Sequence, residues 1–171
     1  MSESIQQHTL EELFECAIQI ENQAGSIYRE LEKRFSHHPE SAALWKVLAA
    51  DEDVHARVLS KALEGAPQEQ LAMQAPADIW ANVSGILNLM SQDLLGSIET
   101  LHDAYELAHQ LEFSEVNTVF EFLAVDALPG DVEREFVRSH IFMHQRRLFD
   151  FKEKYGGRHW LEVKPQSDRA G

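Results

Sequence analysis

Cysteine is almost absent: Cys16 is the single one in 171 residues. That excludes an internal disulfide framework and any four-thiolate metal site. Proline (5) and glycine (8) are too sparse for a loop-rich or low-complexity chain. Basic residues are also few, 15 against 29 acidic ones, and the formal charge is −14. Such a surface repels phosphate, so neither nucleic acid nor an anionic membrane is expected as a partner. No run approaches the roughly 18 apolar residues that span a bilayer. Residues 1–7 are polar and lack the basic and apolar regions of a secretory signal, so a cytoplasmic location is expected. What the chain does have is a 44% hydrophobic content, enough for one domain with a sizeable core.

Helical periodicity dominates the pattern. Thr9 and Glu12 form a capping-box signature, after which Leu10, Phe14, Ala17, Ala24, Tyr28, Leu31 and Phe35 recur at helical spacing. The first helix is expected over about 10–35 and is broken between Ser36 and Pro39. A second is expected over about 40–64, with Leu44, Trp45, Leu48, Leu59 and Leu63 on one stripe and Gly65 past its end. Residues 66–90 read as a long crossover with some helix of its own. A third helix is expected from about Ser91 to Glu112, and 114–128 as a short helical insertion. Pro129 and Gly130 announce a fourth helix, ending at Gly156 and Gly157. No strand pattern competes. Two helical pairs joined by a long connection outline an all-α four-helix bundle with a crossover between helices two and three. The expected domain covers 1–157, with a polar, weakly ordered tail over 158–171 in which Trp160 and Leu161 are candidates for docking. The two pairs resemble each other at offsets of 80 and 89 positions, which suggests an internal duplication.

Charged residues interrupt the apolar stripes. Glu21 lies among Phe14, Ala17, Ala24 and Tyr28, and an unpaired carboxylate is costly to bury there. On the second helix Glu52 and His55 share the core face as a Glu-x-x-His step, three residues and about one turn apart. His144 lies between Ile141 and Leu148 on the fourth helix, with His140 a turn earlier. A carboxylate and a neutral imidazole suit iron, manganese or zinc. The third helix shows no acid at its centre, because at the 80-residue offset Leu101 takes the place of Glu21. His102 and His109 fit the Glu-x-x-His spacing with Glu99 and Glu106, but those acids lie off the apolar face. His37 and His38 read as loop residues, and Cys16 falls off the core stripe with no reactive partner that the sequence identifies. A buried polar network without metal is the bland account of the same four residues, and the bundle metal-site pattern outweighs it.

Residues 17–28, the stretch from Trp45 to Leu59 and the run from His144 to Leu148 resemble the rubrerythrin-like branch of the ferritin-like superfamily. The resemblance covers about 9–65 well and 91–155 more loosely. It implies a ferritin-like fold in which each half supplies one helix glutamate and one Glu-x-x-His. Together these hold a pair of irons that react with dioxygen or hydrogen peroxide, with the Glu-x-x-His glutamates as bridges. The chain departs from that pattern in three places. It has no rubredoxin-type cysteine pairs, Leu101 replaces the third-helix glutamate, and the fourth helix reads Ile141-x-x-His144.

The resemblance carries over Glu21, Glu52, His55 and His144 as metal ligands, with a degenerate second half. The expected cofactor is iron, or another divalent transition metal, at about one ion per chain on ligand count. Glu21 and His55 are expected as terminal ligands, with Glu52 pointing toward the second side and His144 reaching in from across the bundle. Any residual oxidoreductase activity toward dioxygen or peroxide needs an external electron donor. The rival reading is a non-catalytic helical scaffold or interaction module with a decayed site. A homodimer is compatible with either.

Overall fold

A computed structural model describes residues 8–113, 119–123 and 131–166, the side chains of 131–134, 136 and 137 aside. The first helix, α1 (Leu10–Arg34), starts where the sequence places it. Thr9 N–H donates to Glu12 Oε2 at 2.8 Å, and Glu12 N–H donates back to Thr9 Oγ1 at 3.2 Å. The second, α2 (Pro39–Gly65), begins on the residue expected only to break the chain. Proline lacks an N–H that a first helical turn leaves unbonded anyway. His38 Nδ1 caps the turn by accepting from Ser41 N–H. The short link makes α1 and α2 an antiparallel pair. At Gly25 the pair is especially close: a Cβ there would stand 3.4 Å from the Glu52 Cβ.

The crossover holds α3 (Gln68–Leu71) and α4 (Ala77–Met90). It is stitched to the start of α1 by Leu10 N–H to Met73 O and Ala75 N–H to His8 O, at 2.9 and 2.8 Å, and by His8 stacked on Trp80. Ile79, Val83 and Ile86 then bury against Leu13, Phe14, Ala17 and Ile20. The third long helix does not begin at Ser91. Residues 91–100 are turns and irregular chain, and α5 (Leu101–Glu112) starts at a second capping box, Thr100 with Asp103. Leu94, Ile98 and Leu101 mimic a helical stripe because Ile98 buries from the turn region, beside the first residue of α5.

Within 114–128, the described residues 119–123 are helical; the remainder of the expected insertion, and the Pro129–Gly130 turn, lie outside the described residues. The last helix, α6 (Asp131–Tyr155), stops at the glycine pair as expected. The tail is not loose through residue 166. A 3-10 turn over Arg158–Leu161 buries Trp160 against Tyr105 and Phe151, while Leu161 stays exposed. Val163 O accepts from Leu101 N–H at 2.8 Å, and Gln166 N–H donates to Arg34 O at 2.7 Å.

The architecture is an all-α bundle of α1, α2, α5 and α6 with α4 laid against α1. Among the described residues no helix is long and apolar enough to cross a membrane. Two apolar clusters divide the interior. One gathers around Tyr28, Trp45, Tyr105 and Leu148, the other around Phe14, Leu59, Val83 and Phe120. Buried charged groups fill the layer between them.

Candidate metal centre

Glu21 on α1, Glu52 and His55 on α2, and His144 on α6 are each at least 96% buried, and the fold brings all four together. His55 Nδ1 lies 3.0 Å from Glu52 Oε2 and 3.5 Å from Glu21 Oε2. His144 Nδ1 lies 3.8 Å from Glu52 Oε1. The two imidazoles face each other with ring centres 4.8 Å apart. One donor atom each from Glu52, His55 and His144 fall within 4.8 Å of one another.

A fifth group completes the layer, and the sequence reading missed it. Glu112, the last residue of α5, is buried and lies 3.0 Å from His144 Nδ1 through Oε2. Its other oxygen accepts a 2.7 Å hydrogen bond from the Tyr28 hydroxyl. The acid-free third helix was thus an error of register. The capping boxes align the halves: Thr9 pairs with Thr100, Glu12 with Asp103 and Glu21 with Glu112, each 91 positions apart. That offset nearly equals the 89 that separates His55 from His144. Leu101 corresponds to Leu10 at the helix start; it is no substituted ligand. A second Thr-x-x-acid signal, twelve residues before a glutamate as in the first half, was the signal available for finding it. Ile141 does stand three residues before His144, as Glu52 does before His55, so that acid is missing from the second half.

The arrangement is therefore pseudo-symmetric. Glu52 turns Oε2 toward His55, which also meets Glu21, and Oε1 toward His144, which also meets Glu112. A small cavity of about 10 Å³, lined by Glu21, Tyr28, Glu52 and Glu112 among others, adjoins them. It has room for about one water-sized particle.

Protonation follows from the crowding. Burial, then the neighbouring Glu21 and Glu112 carboxylates, push Glu52 well above the usual carboxylate range. Burial acts the same way on Glu112, but the hydrogen bond and charge of His144, with help from the Tyr28 hydroxyl, outweigh it and hold Glu112 low. His144 is raised because Glu112 overcomes the opposing effect of burial. Without a cation, the surroundings thus favour the protonated form of Glu52 and His144 and the ionised form of Glu112.

Beyond this layer, Asp51 Oδ2 lies 3.0 Å from His144 Nε2, off the line of its N–H, and forms an ion pair with Arg147. Phe120 packs over the His55 ring at 4.4 Å, and His140 meets it edge-on at 5.9 Å. Burial and the two neighbouring histidines lower the pKa of His140. The remaining candidates stay apart from the site. His38 is a cap, His37 is exposed, and His109 stacks on Phe113 at 4.3 Å at the surface. Burial raises the Cys16 thiol, which lies on the half-buried flank of α1.

Comparison with known proteins bears on the fold and the family. A crystal structure described as a ferritin-like diiron-carboxylate protein from Thermotoga maritima superposes with a TM-score of 0.60. It covers 86% of this chain and 97% of its own at 18% identity, a likeness of fold. No curated protein matches in sequence. The rubrerythrin family profile matches residues 12–126, a stretch that holds Glu21, Glu52, His55 and Glu112 and stops short of α6. With that match spanning most of its length, the chain belongs to the rubrerythrin family.

Proposed function

We propose that this protein binds a transition metal, iron above others, in the polar layer, at two positions that share Glu52. The observation that carries this reading is the paired geometry. Each imidazole turns Nδ1 to one glutamate of its own, Glu21 or Glu112, and to a separate oxygen of Glu52. The donor chemistry fits: three carboxylates and two imidazoles favour iron or manganese, and a divalent ion would replace the protons that now offset their charge.

When bound, iron would supply one-electron redox chemistry toward dioxygen or hydrogen peroxide. The chain's own residues do the rest. Glu21 with His55 and Glu112 with His144 hold the two positions. Glu52 would join them, Asp51 sets a carboxylate charge beside His144 Nε2, and Phe120 screens His55 from water. With Ile141 in place of a second shared acid, the His144 side has fewer anionic ligands and the weaker affinity. Turnover draws electrons from a donor outside the chain, and the protein works in the cytoplasm. The helical bundle over 1–157, with residues 158–166 docked against it, is the functional unit.

Metal analysis of protein purified without chelator and reloaded anaerobically with ferrous ion tests the reading. The ligand count of five in place of four raises the expected stoichiometry from about one to about two ions per chain, the second more easily removed. A single ion would confine the site to the Glu21–Glu52–His55 side. No metal bound at all would favour the scaffold reading.

Two further outcomes follow. Asp51→Asn should weaken metal affinity about 10- to 100-fold, because it removes the carboxylate charge that stands 3.0 Å from His144 Nε2. Competition with a chromophoric chelator measures it, and an unchanged affinity removes Asp51 from the site. Metal-dependent stabilisation should also grow with pH. Glu52 and His144 have raised pKa values. Their contribution to metal-free stability is therefore present at low pH and lost as pH rises through those values. Metal binding needs both groups deprotonated, so the gain in Tm on adding metal should be larger at about pH 8 than at about pH 6. A gain independent of pH would contradict this.

A further inference from the structure

We infer that Tyr28, Trp45 and Tyr155 form a relay of oxidisable rings that passes single electrons between the buried centre and the surface. This rests on the metal reading above. A centre whose ligands are nearly all solvent-inaccessible meets no soluble donor directly, and the single cysteine leaves this chain no thiolate-bound cluster to bridge the gap. Electron transfer through protein falls off steeply with distance, so closely spaced rings are the effective route.

The rings are placed for it. Tyr28 is wholly buried and donates its hydroxyl hydrogen bond to Glu112 Oε1 at 2.7 Å. Its ring stacks nearly parallel on Trp45, 6.3 Å between centres and 5° between planes. Trp45 is followed by Phe151 at 6.5 Å, and Phe151 by Tyr155 at 5.2 Å. Phenylalanine is too hard to oxidise to hold the charge, so Phe151 serves as the medium between Trp45 and Tyr155. Tyr155 is half-buried and borders a surface groove with Val47, Arg147 and Lys154, open to a small donor.

Proton positions support the direction of flow. Oxidation of Tyr28 releases its phenolic proton to Glu112 Oε1, already its hydrogen-bond acceptor. Trp45 Nε1 has no hydrogen-bond partner among the described residues, so an oxidised Trp45 keeps its proton and is refilled from Tyr155. Tyr155 loses its proton to water and recovers electron and proton from a reductant such as ascorbate. Tyr28 recovers its electron from Trp45 and its proton from Glu112. Cleavage of one hydrogen peroxide to two waters takes two electrons and two protons. The relay delivers the electrons one at a time, and the protons come from solvent.

The test has a metal-free arm and an iron arm. In the first, a laser flash with a soluble ruthenium polypyridyl photo-oxidant and persulfate oxidises surface rings of the metal-free protein, followed by transient absorption. The final radical should be tyrosyl in the wild type and in Tyr28→Phe, where it rests on Tyr155, and shift to tryptophanyl when Tyr28 and Tyr155 are both replaced by phenylalanine. In the second arm, protein loaded with ferrous ion receives hydrogen peroxide and a spin trap, and peptide mapping locates the adduct. Adduct on Tyr155 should be present in the wild type and lost in Trp45→Phe. A final radical left tyrosyl by the double replacement of Tyr28 and Tyr155, or adduct on Tyr155 retained in folded Trp45→Phe, overturns the relay. Both tyrosine-to-phenylalanine replacements are nearly isosteric and keep the test decisive should Trp45→Phe not fold. Failure to retain iron would count against the metal reading alone, and the metal-free arm would still decide the relay.

Discussion

Glu52→Gln should abolish most metal-dependent stabilisation while leaving the metal-free protein as stable as the wild type or more so. Both halves of this expectation come from the same position. Glu52 sends one oxygen to each histidine, so its loss weakens both metal positions at once. Glu21→Gln or Glu112→Gln should weaken one position each. A ligand at about 100 times its Kd stabilises a fold by about 2.7 kcal/mol. For a domain of this size that corresponds to about 5–10 °C in Tm. The wild type should show such a rise on ferrous loading, and Glu52→Gln should show almost none. In the metal-free state burial and its acidic neighbours favour the neutral form of Glu52. An amide of similar shape replaces that neutral acid without a clash. As pH rises, the wild type must ionise Glu52 in a buried layer or keep its proton at increasing cost; the variant does neither. Thermal melts with and without metal across pH decide the matter. Equal metal-dependent shifts in the two proteins would take Glu52 out of the site.

The second large contrast separates Leu101 from Glu112. Leu101 is wholly buried at the start of α5, in the same cluster as Trp160 and beside Val163. Leu101→Ala should cost about 2–5 kcal/mol of stability, the usual range for a buried leucine, and leave metal stoichiometry unchanged. Glu112→Gln should do the reverse. Its amide can still accept from Tyr28, so the fold should survive, but the ion pair with His144 is gone and about half of the bound metal should be lost with it. Leu101→Glu should unfold the protein and not restore ligation, because the carboxylate would be buried within an apolar cluster. The measurements are Tm and metal content on the three variants. Metal lost from Leu101→Ala and retained by Glu112→Gln would reverse the assignment of register in α5.

The two helical pairs differ in how far the sequence alone could place them. For α1 and α2, capping signals, apolar stripes and acidic interruptions all agree. Glu21, Glu52 and His55 could be put on core faces because periodicity reports which face is inward. Their burial at 2–4% exposure follows directly. In the second pair the same signals conflict. Leu94 and Ile98 continue the spacing of α5 backwards through a segment that is not helical, which shifted the apparent start of the helix by ten residues. The wrong start set the wrong offset, and the wrong offset put Leu101 where Glu112 belongs. Glu112, at the very end of its helix beside Phe113, looks like an ordinary solvated terminal residue.

Length, composition and periodicity by themselves determined an all-α bundle with a crossover and the four groups Glu21, Glu52, His55 and His144 as core-facing. These are local properties, because the hydrophobic period of a helix and its cap are written within a few turns of chain. Only the tertiary structure decided which groups meet. Glu112 with His144 spans 32 positions, Tyr28 with Glu112 spans 84, and Arg147 with Asp51 spans 96. Such contacts depend on helix register and rotation across the bundle, which packing of the whole core sets and no single helix encodes. The two-sided geometry around Glu52 exists only once four helices have closed upon it.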